Sequence, residues 1–148
     1  MKYYAVIDTN VIVSSMLKAD SVPGQIVKLV TKNIITPLLN EEIYTEYYDV
    51  LARNKFGLNQ KDIEDLLKSI KRNAIYLNRE QTLEDFIDKD DIVFFEIVMS
   101  ARNTMDAYLV TGNIKHYPVR SYVVTPAQMI KIIEEDLIKA RSNNLSPR

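Results

Sequence analysis

The chain contains no cysteine, a single histidine and few glycines. Without cysteine it can form no disulfide, no thiolate metal site and no cysteine nucleophile. The lone His116 and the absence of a G-x-S-x-G sequence argue against a serine hydrolase. Three glycines in 148 residues are too few for either of the common phosphate-binding glycine loops. These absences exclude several large classes of enzyme.

Long apolar runs and an excess of positive charge are also missing. No segment approaches the roughly 20 apolar residues that a membrane-spanning helix needs, and the first residues show no signal-peptide pattern. We therefore expect a cytoplasmic protein with no membrane association. The net charge of −1 and the pI of about 5.9 argue against a broad, nonspecific grip on nucleic acid. They leave open a site where metal ions supply the positive charge.

The composition, with 47% hydrophobic and 26% charged residues, is that of an ordinary globular domain. We expect one domain over residues 1–139, followed by a flexible polar tail over residues 140–148. Short apolar segments predict strands at residues 3–7, 34–36, 74–77, 107–111 and 122–124, the second of them stopped by Pro37. Helical patterns occupy residues 25–32, 41–53, 92–102 and 126–138, and two further helices are predicted to begin near Val11 and after Asn59. This alternation predicts a three-layer α/β/α sandwich with a central, mainly parallel sheet.

The first predicted strand ends abruptly on three polar residues, Asp8, Thr9 and Asn10. Asn10 is a good N-cap for a helix that begins near Val11. Asp8 would then stand at the carboxyl end of a central strand, where open α/β sheets bind their ligands. A carboxylate so near the core is costly unless it is paired, hydrogen-bonded or bound to metal. The alternative is that Asp8 simply caps the turn.

Two further carboxylates lie beside the apolar stripes of their helices. Glu46 is three residues after Ile43 and four before Val50, and Asp91 comes three residues before Phe94. Each could be an edge residue that reaches solvent. Together with Asp8 they would repel one another, and a divalent cation such as Mg²⁺ or Mn²⁺ would relieve that repulsion. The arrangement predicts metal-assisted hydrolysis.

Four segments, in this order over residues 3–126, resemble the PIN domain. They are Val-Ile-Asp8-Thr9-Asn10, Tyr-Thr-Glu46-Tyr-Tyr-Asp, Asp-Lys-Asp-Asp91 and Leu-Val-Thr111-Gly112-Asn113. The resemblance is to VapC-like ribonucleases in particular, the toxin components of toxin–antitoxin pairs. It implies a Mg²⁺- or Mn²⁺-dependent endoribonuclease that hydrolyses single-stranded RNA, is blocked by a cognate antitoxin protein and forms a homodimer.

The same resemblance implies roles for individual residues. Asp8, Glu46 and Asp91 would be the catalytic metal ligands, and Asn113 would be a fourth, uncharged one. Many PIN nucleases carry an acid in the region of Asn113, so metal affinity is expected to be weaker here. Residues that would support the site are Thr9, Asn10, Thr111 and Asp106, although Asp106 has a structural role as its alternative. Arg53 and Lys115 are candidate contacts for RNA phosphates.

Two other functions stay open at this point. A PIN scaffold that binds RNA or a partner protein without cutting is favoured by Asn113 and by the acidic pI. A metal-dependent phosphotransfer fold, such as a receiver or a haloacid-dehalogenase-like phosphatase, is the third possibility. The phosphatase pattern needs a second acid two residues after Asp8, where Asn10 stands.

The nine tyrosines include a cluster on one predicted helix: Tyr44, Tyr47 and Tyr48. Exposed aromatic residues are typical of interfaces, so this helix is a candidate dimer contact. The alternative is that these tyrosines fill the core around Glu46.

Overall fold

A fully parallel, five-stranded sheet forms the centre of the computed structural model, which describes residues 2–145. The strands are β1 (Tyr3–Ile7), β2 (Ile35–Leu39), β3 (Ile75–Tyr76), β4 (Ala107–Val110) and β5 (Val123–Val124). They lie in the order β3-β2-β1-β4-β5. The predicted α/β sandwich with a parallel sheet is confirmed.

α-Helices connect the strands from β1 to β4, and the last helix follows β5. They are α1 (Thr9–Leu17), α2 (Val22–Thr31), α3 (Glu41–Leu51), α4 (Gln60–Asn73), α5 (Ile92–Arg102) and α6 (Pro126–Leu145), with short 3₁₀ turns at Asn54–Phe56, Lys89–Asp91 and Ile114–His116. In the part of the chain that the structure describes, no helix has both the length and the apolar character of a membrane span.

The strand order reverses direction between β1 and β4. The chain first steps from β1 to β2 and β3, and then returns past β1 to β4 and β5. Because crossovers between parallel strands are right-handed, the reversal puts α5 on the opposite face of the sheet from α1 and α2. Open α/β sheets bind their ligands at such a switch point, outside the carboxyl ends of the strands. Here that point is flanked by Asp8, after β1, and by Thr111, after β4.

The core lies on both faces of the sheet. On one side α5 packs against β1, β2 and β4 and buries Phe94 and Phe95. Helix α3 buries Tyr47 completely, and the Tyr47 hydroxyl donates a hydrogen bond to the Ile7 carbonyl at the end of β1. Tyr47 is therefore a core residue, whereas Tyr48, on the same helix, is 39% exposed.

Several helices begin at side chains that cap them. Asn40 accepts a hydrogen bond of 2.9 Å from the Ile43 amide, and Asn59 accepts two at the start of α4. Thr125 and Gln128 form a reciprocal capping box at the start of α6, with distances of 2.9 and 3.1 Å. Each of these caps involves residues within one turn of the helix start.

The first helix begins earlier than predicted. Helix α1 starts at Thr9, so the N-cap position belongs to Asp8, whose side chain makes no capping hydrogen bond. The prediction of Asn10 as the N-cap is wrong. The Asn10 amide oxygen instead accepts a hydrogen bond of 2.9 Å from the Gly112 N–H, beyond the end of β4.

Pro37 does not end its strand, because β2 continues to Leu39. Backbone groups alternate along β2, and Leu39 directs its carbonyl to Leu77 on the β3 side. Pro37 lies two residues before Leu39, so its backbone groups point to the same side. The N–H that proline lacks would therefore also face β3. The pairing with β3 begins only at Leu38, and the proline therefore removes no ladder hydrogen bond.

The last helix is longer than predicted. Helix α6 continues past Ile138 to Leu145, through the first part of the predicted polar tail. Residues 146–148, the rest of that tail, lie outside the described residues.

A buried carboxylate in α5 anchors the segment that leads to Asp91. Glu96 is 6% exposed and accepts hydrogen bonds from Arg79 Nε at 2.7 Å and from the Thr82 amide at 2.8 Å. Residues 78–86 have neither helix nor strand structure, so these bonds fix their path against α5. The sequence pattern contained no signal for this anchor.

Candidate active site

Asp8 follows β1 directly and is only 5% exposed. Its Oδ2 atom accepts hydrogen bonds from the Thr111 hydroxyl at 2.7 Å and from the Tyr117 hydroxyl at 3.0 Å. The Asp8 amide donates to the Val110 carbonyl, which ties the residue to the end of β4. Burial raises the pKa of Asp8, while both hydroxyl donors lower it. The net shift is upward, so the charged form of Asp8 is less stable here than in water.

Helix α3 carries Glu46 to the same edge of the sheet. The Thr9 hydroxyl, in the first turn of α1, donates a hydrogen bond to Glu46 Oε2. Burial raises the pKa of Glu46, the bond from Thr9 lowers it, and the charges of Asp8, Asp90 and Asp91 raise it further. Glu46 therefore interacts electrostatically with Asp8 and Asp91, the two carboxylates predicted to share a metal site with it.

Asp91 lies where the 3₁₀ turn meets α5, and its side chain is 15% exposed. His116 Nδ1 is 3.4 Å from Asp91 Oδ2 but lacks hydrogen-bond geometry, and this buried Oδ2 accepts no hydrogen bond from the described residues. Burial raises the pKa of Asp91 to about 6, with the charges of Asp8 and Asp88 adding to the effect and His116 opposing it. A buried oxygen without a donor is unusual and suits a ligand atom.

Tyr117 is the residue of this site that sequence reasoning missed. It is 5% exposed, and burial together with the charges of Asp8 and Asp91 raises its pKa. The phenol is therefore a protonated hydrogen-bond donor at neutral pH. Its neighbour His116 stood out as the single histidine, but a tyrosine in a chain with nine of them carries no comparable signal.

Gly112 lets the end of β4 approach α1 closely. A Cβ atom at this position would lie 3.1 Å from Asn10 Oδ1, tighter than most real contacts. The close approach allows the Gly112 amide to bind Asn10, and the Asn113 amide donates in turn to the Thr111 hydroxyl at 2.9 Å. This chain of contacts positions Thr111, which in turn holds Asp8.

The carboxylates border an open cleft of about 330 Å³. It brings together most of the predicted site residues with further acids and some apolar groups: Asp8, Thr9, Asn10, Val13, Ser14, Glu46, Val50, Arg53, Phe56, Asp88, Asp90, Asp91 and Asn113. Among these described lining residues Arg53 is the only cation. The cleft is therefore strongly acidic unless a cation is bound.

Two predicted site residues lie elsewhere. Asp106 precedes β4, at the opposite end of the strand from Thr111, and it is 3.2 Å from Arg102 in an exposed ion pair. Lys115 is exposed and lines a neighbouring groove with Val119 and Arg120. The structure does not bring either residue into the acidic cleft.

The donor atoms of the cleft suit a hard divalent cation, which prefers oxygen ligands. The buried Oδ2 of Asp91 offers one such atom without a hydrogen-bond donor. Within residues 2–145, no three Asp, Glu or His side chains are already placed to hold one ion together. An ion would thus bind through one or two carboxylates plus water molecules, as Mg²⁺ commonly does, or after side-chain movement. The donor chemistry fits, although the ligands do not form a ready-made cage.

Comparison with protein families defines the class of protein that this fold and cleft represent. The model of the PIN domain matches residues 4–115, which is most of the chain. The chain belongs to the PIN domain family. PIN domains are in general nucleases that use divalent metal ions. A comparison with curated proteins finds no match.

Proposed function

We propose that this protein is an endoribonuclease that requires Mg²⁺ or Mn²⁺ and hydrolyses phosphodiester bonds of single-stranded RNA. The observation that carries the proposal is the convergence of Asp8, Glu46 and Asp91 on one cleft at the switch point of the sheet. Burial raises the pKa of each of these carboxyl groups, and nearby acids raise the pKa of Glu46 and Asp91 further. A bound cation would offset the cost of keeping these buried carboxylates charged. Membership of the PIN family supports nuclease chemistry.

The proposed division of labour follows from the contacts. Asp8, Glu46 and Asp91 would hold the ion, with Asn113 as an uncharged oxygen ligand. When bound, the ion supplies Lewis-acid chemistry, by activating a water molecule and stabilising charge on the phosphoryl oxygens. Thr9 would orient the Glu46 carboxylate through its hydrogen bond.

RNA binding should depend on the metal ion. The lining acids would repel phosphate groups, and Arg53 alone among the described lining residues offers positive charge. Lys115, in the neighbouring groove, is a candidate contact for a phosphate further along the strand. We therefore expect metal and RNA to bind cooperatively, since each reduces the electrostatic penalty for the other.

The test is cleavage of a labelled single-stranded oligoribonucleotide by purified protein, with a double-stranded one alongside. We expect cleavage with Mn²⁺ and none in EDTA. Asp8→Asn should lose cleavage yet keep its fold, because it removes a desolvated charge rather than a packing group. Asp106→Asn is the matched control, an acid outside the cleft, and should cleave like the wild type. Undiminished cleavage in excess EDTA, or by Asp8→Asn, would contradict the proposal.

A second candidate is a PIN scaffold that binds RNA or protein without cutting. It is favoured by the absence of three ready-placed acidic ligands in residues 2–145 and by an amide, Asn113, in the cleft. Under this alternative the oligonucleotide would be bound but not cut at any Mn²⁺ concentration. Binding measured by fluorescence anisotropy in the same reactions separates the two functions.

The biological setting that the VapC-like resemblance implies is part of the proposal. We propose a cytoplasmic toxin whose cognate antitoxin protein covers the acidic cleft, and a homodimeric assembly. Tyr48, exposed on α3, supports an interface on this helix. Co-expression with a neighbouring small gene product that suppresses cleavage would support the toxin role, and a neighbour without effect on cleavage would count against it.

A further inference from the structure

The Tyr117 hydroxyl lies between two of the proposed metal ligands. It donates to Asp8 Oδ2 at 3.0 Å and is 3.5 Å from Asp91 Oδ1, at the limit of hydrogen-bond distance. Asp8 follows β1, whereas Asp91 directly precedes α5, so the two carboxylates belong to separate elements of the fold. Tyr117 itself lies just beyond the 3₁₀ turn Ile114–His116 that follows β4. One hydroxyl thus connects the chain after β4 with two other elements.

The aromatic ring makes this hydroxyl a rigid contact. Tyr117 is 5% exposed, and its ring meets the Phe86 ring edge-on, with centroids 6.0 Å apart. Phe86 in turn packs edge-on against Phe95 of α5, with centroids 5.6 Å apart. A tyrosine has only two side-chain torsions, so a packed ring fixes the position of its oxygen closely.

The two hydroxyl donors to Asp8 differ in what else they touch. Thr111 and Tyr117 bind the same oxygen, Oδ2, and together fix the rotation of the carboxylate. Of these two donors, Tyr117 is the one that also lies close to Asp91. A neutral donor between two carboxylates reduces their repulsion without contributing a charge of its own.

We propose that Tyr117 is a positioning residue that sets the relative placement of Asp8 and Asp91 and thereby determines the affinity of the cleft for a divalent ion. This inference rests on the proposed function, because it takes both carboxylates as metal ligands. It goes beyond the family match, which ends at residue 115. Groups that hold metal ligands in place commonly change metal affinity or activity by about tenfold to a hundredfold when removed.

The experiment compares Tyr117→Phe with a matched control, Tyr3→Phe. Both changes remove one tyrosine hydroxyl that donates to a carboxylate. The Tyr3 hydroxyl donates to Oδ2 of Asp136, a residue of α6, at 2.9 Å. Mn²⁺ binding is measured by titration calorimetry and by electron paramagnetic resonance, without RNA. We expect about tenfold weaker Mn²⁺ binding for Tyr117→Phe and wild-type binding for Tyr3→Phe.

Cleavage kinetics supply a second readout that a purely structural role would not produce. Tyr117→Phe should need a correspondingly higher Mn²⁺ concentration for half-maximal cleavage, while the KM for the oligonucleotide at saturating Mn²⁺ stays unchanged. Melting temperatures in EDTA show whether either variant has lost its fold. A loss of stability shared by both variants, with Mn²⁺ affinity equal to that of the wild type, would overturn the proposal.

The outcomes also separate this inference from the proposed function. If the wild type binds no Mn²⁺, or if Asp8→Asn binds it equally well, the proposed function fails together with the inference. If the wild type binds Mn²⁺ and cleaves RNA but Tyr117→Phe matches it in both, only the role of Tyr117 is refuted. Should Tyr117→Phe prove unfolded, Phe86→Leu keeps the Tyr117 hydroxyl but loosens the packing that holds its ring. The proposal then requires weaker Mn²⁺ binding in Phe86→Leu, and wild-type affinity in that folded variant would refute it.

Discussion

Replacing Asp91 with asparagine should stabilise the protein at neutral pH in the absence of metal. The Asp91 side chain is 15% exposed and faces the charges of Asp8 and Asp88. Its Oδ2 accepts no hydrogen bond from the described residues. Asparagine has nearly the same shape but no charge to desolvate or repel. The gain in stability should therefore appear although a proposed catalytic group has been removed.

The magnitude follows from the pKa of Asp91. Burial, together with the neighbouring acids, raises it from 3.8 to about 6. Each unit of pKa difference corresponds to about 1.4 kcal/mol. The charged form of Asp91 therefore lowers the free energy of unfolding by at most about 3 kcal/mol. Partial exposure and solvent screening reduce the figure, so we expect the free energy of unfolding to rise by about 2 kcal/mol in Asp91→Asn.

The sign of the pH dependence is also determined. The folded protein binds the Asp91 proton more tightly than the unfolded chain does, so stability falls as pH rises between about 4 and 6. Below this window the carboxyl is protonated in both states and carries no charge penalty. The gain from Asp91→Asn should therefore be absent near pH 4, grow through the window and stay constant above it.

Urea denaturation in EDTA, at several pH values between about 4 and 8, measures this difference. Asp20→Asn, a change at an exposed acid outside the cleft, serves as the control and should leave the free energy of unfolding unchanged. A variant less stable than the wild type at neutral pH, or a gain that is the same at every pH, would refute the reasoning. Added Mn²⁺ should stabilise the wild type more than Asp91→Asn, because ligands stabilise the state that binds them.

Three further predictions concern other parts of the molecule. Asn113→Asp should lower the Mn²⁺ concentration for half-maximal cleavage about fivefold, since one more charge near the ion adds about 1 kcal/mol of attraction; an unchanged or higher midpoint would contradict this. Glu96→Ala should reduce the free energy of unfolding by about 2 kcal/mol in urea, because the buried anchor for Arg79 and Thr82 is lost, with a smaller loss for Glu96→Gln. Light scattering at tens of micromolar should show a dimer that Tyr48→Ser weakens, and a monomeric wild type would count against the interface.

The sequence by itself determined most of the architecture, because the relevant signals are local. Alternating apolar strands and amphipathic helices predict a parallel sheet wherever they occur, and capping residues such as Asn40 and Thr125 act within one helical turn. Asp8 was recognisable because a polar residue directly after a buried strand must lie at the sheet edge. Glu46 and Asp91 were recognisable from helical spacing, which places them beside an apolar stripe. Each of these inferences needs only a few neighbouring residues.

The tertiary structure alone decided which of the polar residues meet. Tyr117 binds Asp8 across 109 positions of the chain, and no local pattern encodes that distance. Asp106 and Thr111 flank the same strand, but only the carboxyl end of β4 lies beside Asp8. Asn10 serves Gly112 rather than its own helix because the end of β4 packs against α1. These pairings depend on the strand order, which is set by how all five strands and their helices pack together, and therefore by the whole chain at once.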